Sequence, residues 1–390
     1  MNLNTLRANE DLAMERARAS KKDRLNKIDV KILEGLALYD PRNETRLAAN
    51  LGMPRRTLGR RIRRLHSRFS LHIQGNIYHT NIGLRKAFLI AKPKPGLEQL
   101  LYQCLESNDY WLYVSQCIGT PECIATYGIP TGKEKEFEEF ASKLMELNLL
   151  SEKLQFFWST SIHNVNTTST WFDDKSEKWA FRWNSWLEEL PKTQGELPYT
   201  LKEAKDYIQQ ADWIDIIILK ELEKNYTVKL KRIAEQLGVS LQAVRYHYRR
   251  HVLKKQMFEG PQILADHYKG SCPDTCFFIF FFGNSGNLEK FACSLMNKPF
   301  VRAIGKVYRA NQLFVRIYLP REQLRHFLEA LSRLVRSGLL ETYEYLIEDL
   351  STIKRQTISY EFFKNNAWEY DNKKYLQRLK STVDQFGKRA

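Results

Sequence analysis

Between Leu51 and Phe69 the chain reads LGMPRRTLGRRIRRLHSRF, with seven arginines and no acidic residue. A solvated helical face normally interleaves Glu or Asp at i±4, so seven unrelieved cations repel one another unless a polyanion meets them. Guanidinium forks match phosphate oxygens and the O6/N7 edge of guanine, which makes nucleic acid the expected polyanion. A plainer version, LGVSLQAVRYHYRRHVLKK, begins at Leu237. It exchanges several arginines for Gln242, Tyr246 and His247. The second chemistry to weigh is metal binding. His247 and His251 stand at i, i+4, and Cys272 and Cys276 follow, giving four residues of zinc-ligand type. Their spacing fits no compact zinc signature, and no metal is expected from it.

The elements that carry the two stretches recur at one offset. Ile28, Asp29, Ile32, Leu33 and Leu36 reappear 186 residues later as Ile214, Asp215, Ile218, Leu219 and Leu222. The same shift takes Arg46, Ala48, Leu51, Gly52, Arg63 and Arg64 onto Arg232, Ala234, Leu237, Gly238, Arg249 and Arg250. The chain therefore reads as a tandem duplication. Each copy opens with two short amphipathic helices, turns at a glycine, and starts a third helix behind Pro54 or Ser240. In the first copy Leu58, Ile62 and Leu65 face inward, which puts Arg55, Arg56, Arg60, Arg63 and Arg64 outward. In the second copy Tyr248 and His251 stand where Ile62 and Leu65 stand in the first. The extended stretches SLHIQGNIYHT and QMFEGPQILADHY follow, each read as a small hairpin or wing.

The rest of each half alternates strand and helix signals in the order βαββαβ, from KAFLIAK to KLQFFWSTSI and from CFFIFFF to YEYLIEDLSTI. The expected class is α+β: two winged helix-turn-helix domains alternating with two ferredoxin-like βαββαβ domains. The boundaries are placed at 24–82 and 83–190 for the first pair, the latter with a Trp-rich extension. A linker at 191–210 leads to 211–270 and 271–380, the last with a C-terminal extension. Trp179, Trp183 and Trp186 at helical spacing are read as core. The apolar sheet faces require a cover, either a second chain or the other half of this one as an intrachain pseudo-dimer.

Length and composition agree with several domains. The 390 residues carry 61 Lys plus Arg against 45 Asp plus Glu, a formal charge of +16, which favours a polyanionic partner. The most apolar run, CFFIFFFG, is far below the roughly 20 residues of a bilayer span, and no membrane partner is expected. The first 22 residues mix acids and bases without an apolar run, so no secretory signal is read and a cytoplasmic location is expected, with reduced thiols.

An Ile-Asp-x-x-Ile-Leu opening and a helix-turn-helix followed by βαββαβ resemble the Lrp/AsnC (feast/famine) transcription regulators. The residues that carry this are Ile28, Asp29, Ile32, Leu33, Ala48, Leu51, Gly52, Leu58, Arg61, Ile62 and Leu65, with a second set from Ile214 to Arg250. The resemblance implies duplex DNA as partner, dimerisation through the sheet domain, and a small-molecule effector near a Gly followed three residues later by Asp. Gly119 and Glu122 are the matching positions, with Glu in place of Asp; the second half has Arg309 to Gln312 and no Gly. Base contact is assigned to Arg56, Gly59 and Arg60 and to Gln242, Arg245 and Tyr246. Phosphate contact is assigned to Arg63, Arg64, Arg68, Arg249 and Arg250, and Arg55 joins the DNA-facing set.

The same layout also resembles the sirohaem decarboxylases, which place an Arg and a His near the second and third strands. The corresponding stretches here contain no His, and no HExxH, triad or phosphate loop occurs elsewhere. The expectation is a regulator that is not an enzyme and has no cofactor, with the decarboxylase as the alternative.

Overall fold

The computed structural model describes residues 24–205 and 207–387; the stretch read as lacking a secretory signal lies outside the described residues. Three helices open the chain: α1 (Lys27–Leu38), α2 (Glu44–Asn50) and α3 (Arg55–Phe69). Asn26 starts α1 through a reciprocal cap, its side chain accepting from the Asp29 amide while the Asp29 carboxylate accepts from its own. Gly52, at φ +63°, supplies the left-handed turn before α3. Leu58, Leu65 and Phe69 of α3 are buried against Ile32, Leu33 and Leu36 of α1. The strand β1 (His72–Ile77) follows, then β2 (Leu84–Ala91), α4 (Glu98–Leu105), β3 (Trp111–Ile118), β4 (Cys123–Pro130), α5 (Glu134–Glu146), β5 (Gln155–Ser159), the short β6 (His163–Asn164) and α6 (Trp183–Glu189).

The second half repeats this order. It has α7 (Trp213–Lys224), α8 (Leu230–Leu237) and α9 (Leu241–Tyr246), with α9 running on into a π-helical turn, His247–Leu253. Then come β7 (Phe258–Leu264), β8 (Pro273–Phe281), α10 (Ser285–Leu295), β9 (Val301–Lys306), β10 (Gln312–Pro320), α11 (Arg321–Arg336), β11 (Thr342–Glu348), β12 (Lys354–Arg355) and α12 (Asn372–Gly387). The π turn adds one residue to the helix. Val252, not His251, therefore fills the core position that Leu65 holds in the first half, and both are fully buried.

The stretches after the third helices do not form separate hairpins. Each supplies one strand, and β1 pairs with β7 antiparallel from His72↔Leu264 to Ile77↔Phe258. The chain after β1 enters a 3₁₀ turn, His79–Ile82, in place of a return strand. The ribbon stays two-stranded and is held by packing, with Ile73, Ile77, Phe258 and Ile263 buried in the core.

Each βαββαβ unit has the ferredoxin-like order: β5-β2-β4-β3 in the first and β11-β8-β10-β9 in the second. β3 pairs with β11 and β9 with β6, which links both into one ten-stranded sheet. Because β6 directly follows β5 in the chain, and Ser159 bridges to Val307 beside it, the sheet curls until its ends meet. Its inner faces pack on one another. Phe88 stacks on Phe314 with ring centres 4.5 Å apart and lies 5.8 Å from Phe277. The cover that the apolar faces require thus comes from within the chain.

The two extensions cross over. Trp171, Trp186, Leu190 and Leu201 join the core of the second unit, with Trp186 Nε1 donating to Ser294 Oγ at 3.1 Å. In exchange Phe363, Tyr375 and Leu379 pack into the first unit, and Trp368 Nε1 donates to the Ile82 carbonyl at 2.6 Å. Trp186, only 1% exposed, belongs to the core as its spacing suggested.

Candidate functional site

The arginine run finds its carboxylate on another helix. Asp29 is wholly buried, and Arg61 Nη1 and Arg64 Nη1 meet its two oxygens at 3.0 and 2.5 Å. Arg61 also donates to Asn26 Oδ1, and Arg64 to the Arg24 carbonyl. Arg64, assigned to phosphate from the helical pattern, is thus committed to holding α3 on α1. Arg56, Arg60 and Arg63 stay on the exposed side, with Arg68; Arg55 is exposed beside Glu44, 3.4 Å away. Gly59 lies in the middle of this face with only Arg63 Nη1 near its missing Cβ.

In the second half Gln242, Arg245, Tyr246, Arg249 and Arg250 are all exposed and, with Lys254, border one shallow surface hollow. A cleft of about 840 Å³ separates the two third helices, edged by Arg55, Ile62 and His66 on α3 and by Arg245, Tyr248 and Arg249 on the other. Arg42 spans it, donating to Tyr248 Oη at 2.6 Å with its guanidinium over the Tyr226 and Tyr248 rings. The cationic faces are therefore set on one paired body.

The proposed effector residues stand apart from the main internal space. Gly119 takes φ +85° in the exposed β3–β4 turn. Glu122, 3.9 Å from Lys92, borders a hollow of about 110 Å³.

A chamber of about 910 Å³ lies instead between the β1–β7 ribbon and the inner sheet face. Gln74, Asn76 and Gln262 come from the ribbon, and Phe88, Ile124, Phe277 and Phe314 from the apolar sheet. Set into it are Lys86, Arg302, Arg316, Arg355, Glu223, Glu348, Tyr113 and His79. Arg316 Nε meets Glu348 at 2.7 Å, and its Nη2 donates to Tyr113 Oη at 2.8 Å. Arg302 donates from Nη2 to the Ala265 carbonyl at 2.7 Å, while its buried Nη1 has no protein partner. His79 Nδ1 lies 3.0 Å from the Ile77 carbonyl, which assigns the proton to Nδ1 and leaves a bare lone pair on the unpartnered, buried Nε2. An unmet donor and an unmet acceptor beside one cavity are unusual in a folded interior.

Burial displaces the titrations here. It pulls the His79 imidazole well below its ordinary range, with the Lys86 ammonium adding to the effect. It brings Lys86 itself down to about 8, and pushes Glu223 up to about 7 and the nearby Glu259 up to about 9. A pH test follows. Folded Glu259 keeps a proton that the unfolded chain releases, so its contribution to stability falls as pH rises from 4.5 to 9. Between pH 7 and 8 Glu223 and Lys86 titrate as well, so the Glu259 contribution is the difference between the wild-type and variant profiles. In denaturant unfolding over that interval, Glu259→Gln should remove a decline of about 1 kcal/mol per pH unit. Parallel wild-type and variant profiles would contradict a buried, protonated Glu259.

None of the chamber's charged residues was singled out from the sequence. The signal available was a charge inside an otherwise apolar strand, namely Lys86 in RKAFLIA and Arg316 in LFVRIYLP.

Residues 212–250 match the family described as winged helix-turn-helix DNA-binding. No curated protein matches the sequence. Among solved structures, that of the siroheme decarboxylase NirDL aligns with 93% of this chain and 100% of its own, at 11% identity and a TM-score of 0.48. A structure of that protein in co-complex with an iron-uroporphyrin III analogue aligns over 91% and 98%, at 11% identity and 0.47. The structure of E. coli AsnC aligns with 38% of this chain and 98% of its own, at 17% identity and 0.28. The expectation that the chain is not an enzyme is withdrawn: the structures aligned over 93% and 91% of it are those of a siroheme decarboxylase. Among the matches, that of residues 212–250 bears on this chain's chemistry: it places a winged helix-turn-helix domain of the DNA-binding type at the start of the second half.

Proposed function

We propose that the chain is a sequence-specific, duplex-DNA-binding regulator, built by tandem duplication as an intrachain pseudo-dimer with an internal ligand chamber. One observation carries the reading: the acid that neutralises the arginine run is buried on α1 and engages only the inward pair, Arg61 and Arg64. The outward face of α3 is left cationic. Arg56, Gly59 and Arg60, with Gln242, Arg245 and Tyr246, read base edges; Arg63, Arg68, Arg249 and Arg250 meet phosphates. Arg55 lies at the edge of the same surface. The chamber sits directly beneath the β1–β7 ribbon that joins the two reading units, so an effector bound there acts on their relative placement. The Gly119–Glu122 turn is the other effector position.

The polar lining favours a second reading. Unpartnered Arg302 Nη1 and His79 Nε2, with Lys86, Arg316 and Arg355 nearby, suit a large polycarboxylate, and the space is large enough for a tetrapyrrole of the sirohaem class. On that reading the protein is a decarboxylase-like enzyme whose cations would grip the carboxylates, with the His79 Nε2 lone pair open to a bound metal centre.

Two titrations on the full chain separate these readings. Duplex binding whose log affinity falls linearly with log salt, with a footprint altered by Gln242→Ala, supports the regulator; absence of duplex binding at low salt rejects it. Stoichiometric sirohaem binding in an absorbance titration, weakened about tenfold or more by Arg302→Ala and accompanied by CO₂ release, supports the enzyme.

A further inference from the structure

Asp29 and Asp215 occupy equivalent places, each closing a reciprocal cap at the start of its helix and each wholly buried. Their partners differ. The first half neutralises Asp29 with two permanent cations, Arg61 and Arg64. In the second half the added π residue brings His251 to the place of Arg64, and His247 stands at that of Arg61. His247 Nδ1 lies 2.9 Å from Asp215 Oδ1, and His251 Nδ1 3.0 Å from Asp215 Oδ2. The cap residue is also changed, from Asn26 to a second carboxylate, Asp212. Its Oδ2 is 3.3 and 3.6 Å from the same two imidazole nitrogens.

The replacement of two guanidinia by two imidazoles, together with the added carboxylate, leaves two carboxylates facing two imidazole nitrogens. Among the described residues no lysine or arginine forms an ion pair with Asp212 or Asp215. A buried carboxylate without a fixed cation is costly. One divalent cation balances both.

We propose that Asp212, Asp215, His247 and His251 form a binding site for a divalent transition-metal ion of the zinc class. The four donor groups lie within 4.8 Å of one another. A tetrahedral ion with bonds of about 2.0–2.1 Å requires donor separations of roughly 3.3 Å, and the four His–Asp distances bracket that value. The donor set, two imidazoles and two carboxylates, suits zinc and its neighbours over calcium or magnesium, which favour oxygen alone. His247 and His251 are 15% and 21% exposed, which leaves an entry path. This site differs from the one weighed from spacing. Cys272 is exposed, Cys276 is buried in β8, and neither joins the cluster. The ion would tie the start of α7 to the π turn that continues α9, fixing the third helix of the second unit. The proposal does not depend on that helix reading DNA.

The first half supplies the control variants, because it shows that the scaffold accepts Asn at the cap and Arg at both inner positions. Metal-stripped full chain is titrated with Co²⁺, followed by equilibrium dialysis with Zn²⁺, for wild type and Asp212→Asn/His247→Arg/His251→Arg. Wild type should bind one more equivalent than the triple variant, with the intense visible bands of four-coordinate Co²⁺ and no near-ultraviolet thiolate band. Zn²⁺ should raise the melting temperature of wild type and leave that of the variant unmoved. Equal stoichiometry in the two proteins, or a thiolate band accompanying the lost equivalent, overturns the site. Should the triple variant not melt cooperatively, Asp212→Asn alone decides the matter: a fall of about tenfold or more in Zn²⁺ affinity sustains the site, and unchanged affinity overturns it.

Discussion

Replacing Arg56, Arg60 and Arg63 together with alanine is expected to lower duplex-DNA affinity by about 10²–10⁴-fold while leaving the melting temperature within a few degrees of wild type. All three are exposed on one face of α3, and among the described residues no carboxylate pairs with them. Each phosphate left without its arginine should reduce the salt slope by about 0.9, and removing a guanine-reading side chain costs about 1–3 kcal/mol. These terms act at separate side chains and should add approximately. A filter-binding or anisotropy titration at several salt concentrations measures both quantities. If affinity and slope are unchanged in the triple variant, α3 is not the DNA-contacting helix, whatever the second unit does.

The second large effect is on stability. Asp29→Ala removes the common partner of Arg61 and Arg64 and one half of the α1 cap at the same time. Losing one member of a buried charge group costs about 3–5 kcal/mol, and a missing cap about 1 kcal/mol. Arg61 and Arg64 retain 21% and 26% of their side-chain exposure, and water reaching them moderates the cost. The expected loss is about 3 kcal/mol, read as a lower denaturant midpoint. Arg64→Ala should fall in the same class, destabilising the fold, whereas Arg63→Ala should lower the salt slope by about one at unchanged stability. A reversal of those two phenotypes would show that Arg64 faces DNA and that its bond to Asp29 is incidental.

Local pattern alone determined the α+β class, the three-helix openings, the order of both βαββαβ units and the existence of an outward cationic face on α3. Each of these follows from side-chain periodicity and from residues that cap or turn the backbone, interactions that reach only a few positions along the chain. The same pattern assigned Arg64 outward. It had no means to show that a carboxylate 35 residues earlier would draw that side chain in, because ion-pair partners are chosen in space. It aligned His251 with Leu65, since an offset counted in residues does not register a π turn, and only the packed helix shows that Val252 takes the core place. Separate wings were read because strand signals carry no information about which edge a strand will join. The choice of β1 for β7 rests on packing across the halves, with Ile73, Ile77, Phe258 and Ile263 buried in the core. The chamber was illegible for the same reason: Lys86, Glu223 and the paired strands that carry Arg302 and Arg316 lie far apart along the chain, and only closure of the sheet brings their charges into one buried space.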